Sequence, residues 1–172
     1  MKVLYLIRHG QAAGPGDQPL SKKGIKQANA LKEIIPEFDF VLSSQLQRAT
    51  HTAQILFGQA VTTDSLYNEI YREVIGGPSK PDSQQRFVED SKRAKQAYES
   101  LINLQGDAVA LVCHGNLIRY FVSQVLGCEP NNMWSTLDIP PTGVVILVKD
   151  GDSLRLRFPN SLKLDTDLIK YW

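Results

Sequence analysis

Two short stretches of this chain share one grammar. Leu6-Ile7-Arg8-His9-Gly10 closes one apolar run, and Val112-Cys113-His114-Gly115 closes another. In each, a strand-like run ends and a histidine and a glycine follow. Open α/β sheets bind ligands just beyond the carboxyl ends of their strands. If the two strands are neighbours, His9 and His114 meet at that edge although they lie far apart along the chain. Gly10 and Gly115 would then let backbone approach a bound group closely.

Two imidazoles with arginines nearby suit a phosphate monoester. Guanidinium forks match the oxygens of that compact dianion in bidentate fashion. Arg8 adjoins His9, and Arg48 falls in the first turn of a helix expected after Ser43-Ser44, where helix-end N–H groups also favour anions. Nucleophilic attack on a dianion suffers charge repulsion, which positioned cations relieve. Imidazole can be the nucleophile, because histidine forms covalent intermediates and is largely neutral near pH 7. The leaving alkoxide needs a proton from a carboxylic acid, and Glu69 and Glu73 are both candidates. Each of these residues alone would be an ordinary loop or surface side chain. Only the joint pattern points to phosphoryl transfer.

Two other readings use the same residues. The pocket could bind a phospho-ligand without catalysing anything. Alternatively His9, His51 and His114, the three histidines of the chain, could ligate a metal. Zinc sites usually show short-range ligand spacing, and none is present here. His51, one turn beyond Arg48, is expected to be structural or solvent-facing.

The whole chain sets the frame. Its 172 residues suit one domain, taken as 1–172. Its net charge of +1 creates no field to recruit nucleic acid or an anionic membrane, so anion recognition must be local. The two cysteines, Cys113 and Cys128, make no disulfide framework, which suits a reduced intracellular setting, with Cys113 an inert buried thiol. Arg8 interrupts the first apolar run too early for a signal peptide. No run reaches the ~20 apolar residues of a membrane span. The expected location is the cytoplasm, and no nucleic-acid or membrane partner is expected.

The elements that must position these residues alternate between short apolar runs and helical periods. That pattern predicts a mostly parallel sheet with helices on both faces and an antiparallel strand at its margin. Strands are expected at Val3 to Ile7, Phe40 to Leu42, Val61 to Thr63 and Ala108 to Val112. Pro36 should stop a first helix capped by Ser21, with Ile25, Ala28, Leu31 and Ile35 on its apolar stripe and Leu20 stapled to Ile25. Ser43-Ser44 should cap a second helix reaching Phe57, burying Leu46, Ala49, Ala53 and Leu56. Residues 70 to 82, with Gly76-Gly77-Pro78 and Pro81, read as a loop. Ser83 to Asn103 and Asn116 to Leu126 read as helices, the latter closed by Gly127. Val144 to Val148 and Leu154 to Phe158 flank Asp150-Gly151, a hairpin signal.

The two quoted motifs, together with three further stretches in order, resemble the histidine phosphatase superfamily, also called the phosphoglycerate-mutase-like family. Pro19-Leu20-Ser21-x-x-Gly24-x-x-Gln27-Ala28 is similar to the family's first helix. Ser43-Ser44-x-x-x-Arg48-Ala49-x-x-Thr52-Ala53 is similar to its second arginine motif, and Leu66 to Glu69 to its acid-bearing segment. Within the family, His114-Gly115-Asn116-Leu117-Ile118-Arg119-Tyr120 most resembles the mitochondrial serine/threonine phosphatase branch.

The resemblance implies a three-layer α/β/α sandwich. It implies a covalent phosphohistidine on His9, with no metal and no cofactor. Arg8, Gln11, Arg48, His114 and Gly115 would surround the phosphate, and Glu69 would donate the proton, with Glu73 its alternate. The substrate would be a phosphorylated small molecule or phosphoprotein. The chain departs from the family pattern where Ala12 follows Gln11 and where Ile70-Tyr71-Arg72 follows Glu69. Little insertion is available to enclose a bisphosphoglycerate, which favours a phosphatase over mutase-type phosphotransfer.

Overall fold

The computed structural model describes residues 1–58, 61–71 and 83–157. The chain runs β1 (Lys2–Arg8), α1 (Lys22–Lys32), β2 (Phe40–Ser44), α2 (Gln47–Phe57), β3 (Thr62–Asp64), a 3-10 turn (Ser65–Tyr67), α3 (Ser83–Asn103), β4 (Ala108–Cys113), α4 (Gly115–Leu126), α5 (Pro130–Thr136), β5 (Val144–Asp150) and β6 (Ser153–Arg157). The six strands form one sheet in the order β3-β2-β4-β1-β5-β6. β1, β2, β3 and β4 pair in parallel, whereas β5 runs antiparallel to both β1 and β6. The antiparallel strand therefore lies one place in from the edge.

Alternation along the strands divides the core in two, because successive side chains point to opposite faces. Leu4, Leu6, Leu42, Val109, Leu111 and Cys113 face α3, α4 and α5, meeting Ala94, Ala97, Leu101, Leu117, Ile118, Phe121 and Trp134. Ile7, Ala110 and Val112 face the other way, onto Leu31 of α1 and Ala49, Ala53 and Leu56 of α2. Helices thus cover both faces, and burial of each large apolar side chain contributes about 1.5–3 kcal/mol. Among the described residues, no helix is long and apolar enough to cross a membrane.

Local chemistry explains most element ends. Ser21 Oγ caps α1 by accepting from Gly24 N at 3.0 Å. The helix stops at Lys32, before Pro36, because Ile34 N and Ile35 N both turn back to the Leu31 carbonyl. Gly24, Gln27, Ala28 and Leu31 are its buried residues, so the buried stripe is shifted from the expected one. α4 closes on Gly127, whose φ of 63° is left-handed. The last hairpin turns at Gly151-Asp152, one residue later than Asp150-Gly151, with Asp150 opposite Ser153.

Two expectations fail for tertiary reasons. Ser43 and Ser44 do not cap α2. They are buried residues of β2, Leu46 holds the N-cap position without a side-chain bond, and Leu46 is itself only half-buried. Asp17, 30 residues upstream, supplies the missing acceptor, with Oδ1 2.6 Å from Gln47 N. The short helix α5 was not expected either; Pro130 at its first turn is the one local signal for it. Residues 72–82 of the loop expected at 70 to 82, Glu73 among them, and Phe158 lie outside the described residues.

Candidate active site

The parallel register of β1 and β4 sets Arg8 opposite Cys113. The two strands leave the sheet together, with His9 N donating to the Cys113 carbonyl at 3.0 Å. The imidazoles that follow stand edge to face, 5.1 Å between ring centres. Beyond His9 the backbone is pinned from three sides. Gly10 N donates to Thr52 Oγ1 at 3.0 Å, Gln11 N donates to Gln27 Oε1 at 3.0 Å, and Ser21 N donates to the Gln11 carbonyl at 2.8 Å. Gly10 and Gly24 bring α1 against this loop. A Cβ on Gly10 would lie 2.7 Å from Gly24 O, and one on Gly24 would lie 2.1 Å from Gln11 O.

His9 is held in one tautomer. Arg48 Nε can only donate, and it lies 3.0 Å from His9 Nε2, so Nε2 carries a lone pair. Nδ1 lies 2.7 Å from the Gly10 carbonyl and must carry the hydrogen. Burial, outweighing the Gly10 bond and reinforced by Arg48 and Arg8, pushes the His9 pKa down to about 3. At neutral pH the ring is therefore uncharged, with a bare nitrogen facing Arg48.

His114, fully buried, is held in the other tautomer. Ser44 Oγ donates to Asn68 Oδ1 at 2.8 Å and accepts from Leu46 N at 3.1 Å. Its hydrogen being committed, it accepts from His114 Nε2–H at 2.8 Å. Asn68 Oδ1 also accepts from Gln45 N at 3.2 Å, which fixes the orientation of that amide. The remaining nitrogen, His114 Nδ1, is buried with no hydrogen-bond partner among the described residues, and so is Arg8 Nε. Burial, then the neighbouring His9 and the charges of Arg48, Arg93 and Arg8, keep His114 well below the usual imidazole range.

Arg8 anchors one guanidinium nitrogen on the Ile139 carbonyl. A Cβ on Gly115 would lie 3.5 Å from Arg8 Nε and 3.2 Å from Arg119 Nη1, so Gly115 leaves both guanidinium groups their space. Arg119 in turn donates through Nε to the Leu137 carbonyl at 2.7 Å.

Glu69 completes the cluster. It is half-buried, with Oε1 accepting from Ile70 N and from Asn116 N at the start of α4, both at 3.1 Å. Burial raises its pKa to about 7, against the pull of the Ile70 and Leu117 N–H groups, Arg48 and Arg8. Arg8 and Arg48 both feel the Glu69 charge, so the acid and the two cations share one neighbourhood.

The structure thus gathers Arg8, His9, Arg48, Glu69, His114 and Gly115. Gln11 sits at the rim, exposed, and bonds through its backbone. His51 stands apart, its Nδ1 accepting from Leu20 N at 3.4 Å. Among the described residues, no three His, Cys, Asp or Glu side chains gather so as to hold a metal ion. Cys113 is buried with its thiol pKa pushed up by burial. Sequence reasoning missed Ser44 and Asn68 as the seat of His114, and Arg93 of α3, which grips the Glu69 segment. Nothing local marks any of the three.

Comparison with known proteins bears on the family and the fold. The model of the histidine phosphatase superfamily (branch 1) matches residues 4–90 and 65–161. The mitochondrial serine/threonine-protein phosphatase PGAM5 of Xenopus tropicalis is 28% identical over 87% of this chain and 64% of its own length. The chain spans just under two thirds of such relatives. The 2,3-bisphosphoglycerate-dependent phosphoglycerate mutase of Beijerinckia indica is 27% identical over 77% of this chain and 84% of its own. Among solved structures, the alpha-ribazole phosphatase of Shigella flexneri superposes with a TM-score of 0.76 at 22% identity, covering 93% of this chain and 96% of that one. The phosphoserine phosphatase of Entamoeba histolytica, solved with 3-phosphoglyceric acid, superposes with a TM-score of 0.73 at 24% identity, covering 95% and 98%.

Proposed function

This chain belongs to the histidine phosphatase superfamily, and on that premise we propose that it hydrolyses phosphomonoesters through a covalent phosphohistidine on His9, without a metal. The observation that carries the proposal is the tautomer of His9: a neutral ring whose bare Nε2 faces the arginine that would hold the phosphate.

The steps follow from the side chains. A phosphate dianion entering between Arg8, Arg48 and His114 draws Arg48 Nε–H from His9 Nε2 to a phosphate oxygen. It also gives Arg8 Nε–H an acceptor. His114 Nδ1 contacts a second oxygen, taking from solvent a proton that the incoming negative charge stabilises and that returns to solvent when phosphate leaves. His9 Nε2 attacks phosphorus, and the bond from phosphorus to the leaving oxygen breaks. The Glu69 carboxyl gives its proton to that oxygen, so an alcohol departs rather than an alkoxide. Nδ1–H of His9 keeps its bond to Gly10, holding the phosphorylated ring in place. Water then attacks phosphorus and gives its proton to the Glu69 carboxylate. The nitrogen–phosphorus bond breaks, and inorganic phosphate leaves His9 neutral again.

Phosphorylated small molecules and phosphoproteins both fit this reading, the latter suggested by the serine/threonine phosphatase relatives. A reducing, cytoplasmic setting goes with the free thiols Cys113 and Cys128, and cell fractionation with an antibody checks it. The decisive experiment is a panel of phosphopeptides, alkyl phosphates and 3-phosphoglycerate, with wild type and His9→Ala, in the presence of EDTA. Phosphate release that ends with His9→Ala, together with an acid-labile 32P label on the wild type alone, is the expected result. Turnover surviving in His9→Ala would defeat the proposal, and transfer to an acceptor without phosphate release would make the chain a mutase.

A further inference from the structure

The Glu69 carboxyl sits on a segment with no regular backbone partner. The 3-10 turn ends at Tyr67, and residues 68–71 beyond it belong to neither helix nor strand, so the carbonyls of this stretch have no ladder to join. One side chain takes up three carbonyls here. Arg93 of α3 donates through Nη1 to the carbonyls of Leu66, at 3.0 Å, and Asn68, at 2.7 Å. Through Nη2 it donates to the Glu69 carbonyl at 3.0 Å and to Asp90 Oδ1 at 2.8 Å. Asp90 Oδ2 then accepts from Tyr71 N at 2.7 Å, closing the ring from the other side. Asn116 adds one more hold, with Nδ2 on the Ile70 carbonyl at 3.1 Å.

We propose that Arg93, with Asp90, is the positioning residue for proton donation: it grips the backbone around Glu69 so that the carboxyl stays against the start of α4 beside Arg8 and Arg48. The inference rests on the phosphatase reading above. Arg93 touches neither substrate nor reacting atoms, and the proton passes from Glu69 to the leaving oxygen alone. Its fork shape is what the task needs. Four acceptors are shared between its two terminal nitrogens, a set a guanidinium can serve and the three donors of a lysine ammonium cannot. The same grip holds Asn68, whose side chain seats Ser44, so by hydrogen bonds the clamp reaches His114 through two intermediaries, while its charge is felt there across space. Glu69 depends on it directly.

A merely structural arginine would affect all substrates alike, whereas a positioning residue for the acid affects only those that need a proton. Two monoesters distinguish the cases: p-nitrophenyl phosphate, whose leaving group departs unprotonated, and an alkyl phosphate, whose leaving group does not. Arg93→Ala is expected to lower kcat for the alkyl ester at least about 10-fold while changing the aryl ester less than about 3-fold. Glu69→Gln should show the same split, and the double variant should lose no more than Glu69→Gln alone. Arg93→Lys, which keeps the charge and the fold, should show a smaller split in the same direction. Independently of turnover, 13C NMR of labelled glutamate should show the Glu69 titration fall from about 7 toward the ordinary carboxylate range in Arg93→Ala or Arg93→Lys. Equal losses on both esters, additive losses in the double variant, or an unmoved Glu69 titration would each overturn the proposal. A wild type that turns over neither ester would end the phosphatase reading instead, and the NMR titration would still decide the clamp.

Discussion

Arg48 Nε rests 3.0 Å from His9 Nε2, the nitrogen that would attack phosphorus. The same guanidinium donates from Nη1 to the Gly16 carbonyl at 3.1 Å, so Arg48 bridges the histidine and the loop before α1. One side chain thus keeps the lone pair directed and stands ready to receive the anion. Arg48→Ala is expected to lower kcat/KM by about 10²–10³, the usual loss for one charge-stabilising donor. Arg48→Lys should restore little, since an ammonium cannot address His9 and phosphate oxygens from one plane. Steady-state kinetics on one alkyl monoester checks both.

With Glu69 as the proposed proton donor, the reaction should be pH-sensitive from the alkaline side. Its carboxyl, raised to about 7 chiefly by burial, must be protonated to act as the acid. His9, depressed to about 3, stays neutral throughout the ordinary range. The value of kcat/KM for an alkyl phosphate should therefore fall above roughly pH 7, tenfold per pH unit. Glu69→Gln should remove that limb and cost about 10²–10³ below it. A pH–rate profile of both proteins reads this directly, and an alkaline limb surviving in Glu69→Gln would move the assignment to another acid, with Glu73 next in line.

Gly24 is predicted to tolerate no side chain. A methyl group there would lie 2.1 Å from the Gln11 carbonyl oxygen, which is backbone and cannot swing away. Gly24→Ala would push α1 off the loop that carries His9. The expected cost is about 1–3 kcal/mol of stability, read by urea denaturation, together with a loss of phosphate affinity.

Stability should weaken in mild acid. The folded pKa of His9 lies below its ordinary 6.5, so the unfolded chain binds a proton that the native one refuses. Its stabilising contribution is complete above pH 6.5 and is lost as pH falls toward 3. His114 acts in the same direction. Glu69 opposes them, because its raised pKa contributes below 4.5 and is lost as pH rises through 7. With two histidines against one carboxyl, the net slope between pH 6.5 and 4.5 is that of about one group, up to ~1.4 kcal/mol per pH unit. Denaturation midpoints across that window should fall with pH, and His9→Gln should flatten the curve.

Much of this arrangement was legible in the linear chain because it depends on neighbours along the chain. Apolar runs ending in His9-Gly10 and His114-Gly115 marked two strand ends, and helical periodicity placed α3 at Ser83–Asn103. Gly127 marked the end of α4 by its backbone freedom. The types of Arg8, His9, Arg48, Glu69 and His114 in that order were enough to suggest phosphoryl transfer. What the tertiary structure alone decided are the contacts that join distant segments. Ser43-Ser44 looked like a helix cap and is instead strand, with Ser44 the acceptor for an imidazole 70 residues away. Asp17 does the capping, and Arg93 holds a loop 24 to 27 residues behind it. No periodicity or propensity encodes such pairs, because a serine or arginine obeys the same local rules wherever it sits. Which partner it meets follows only once the sheet order has brought β1, β4 and β2 side by side.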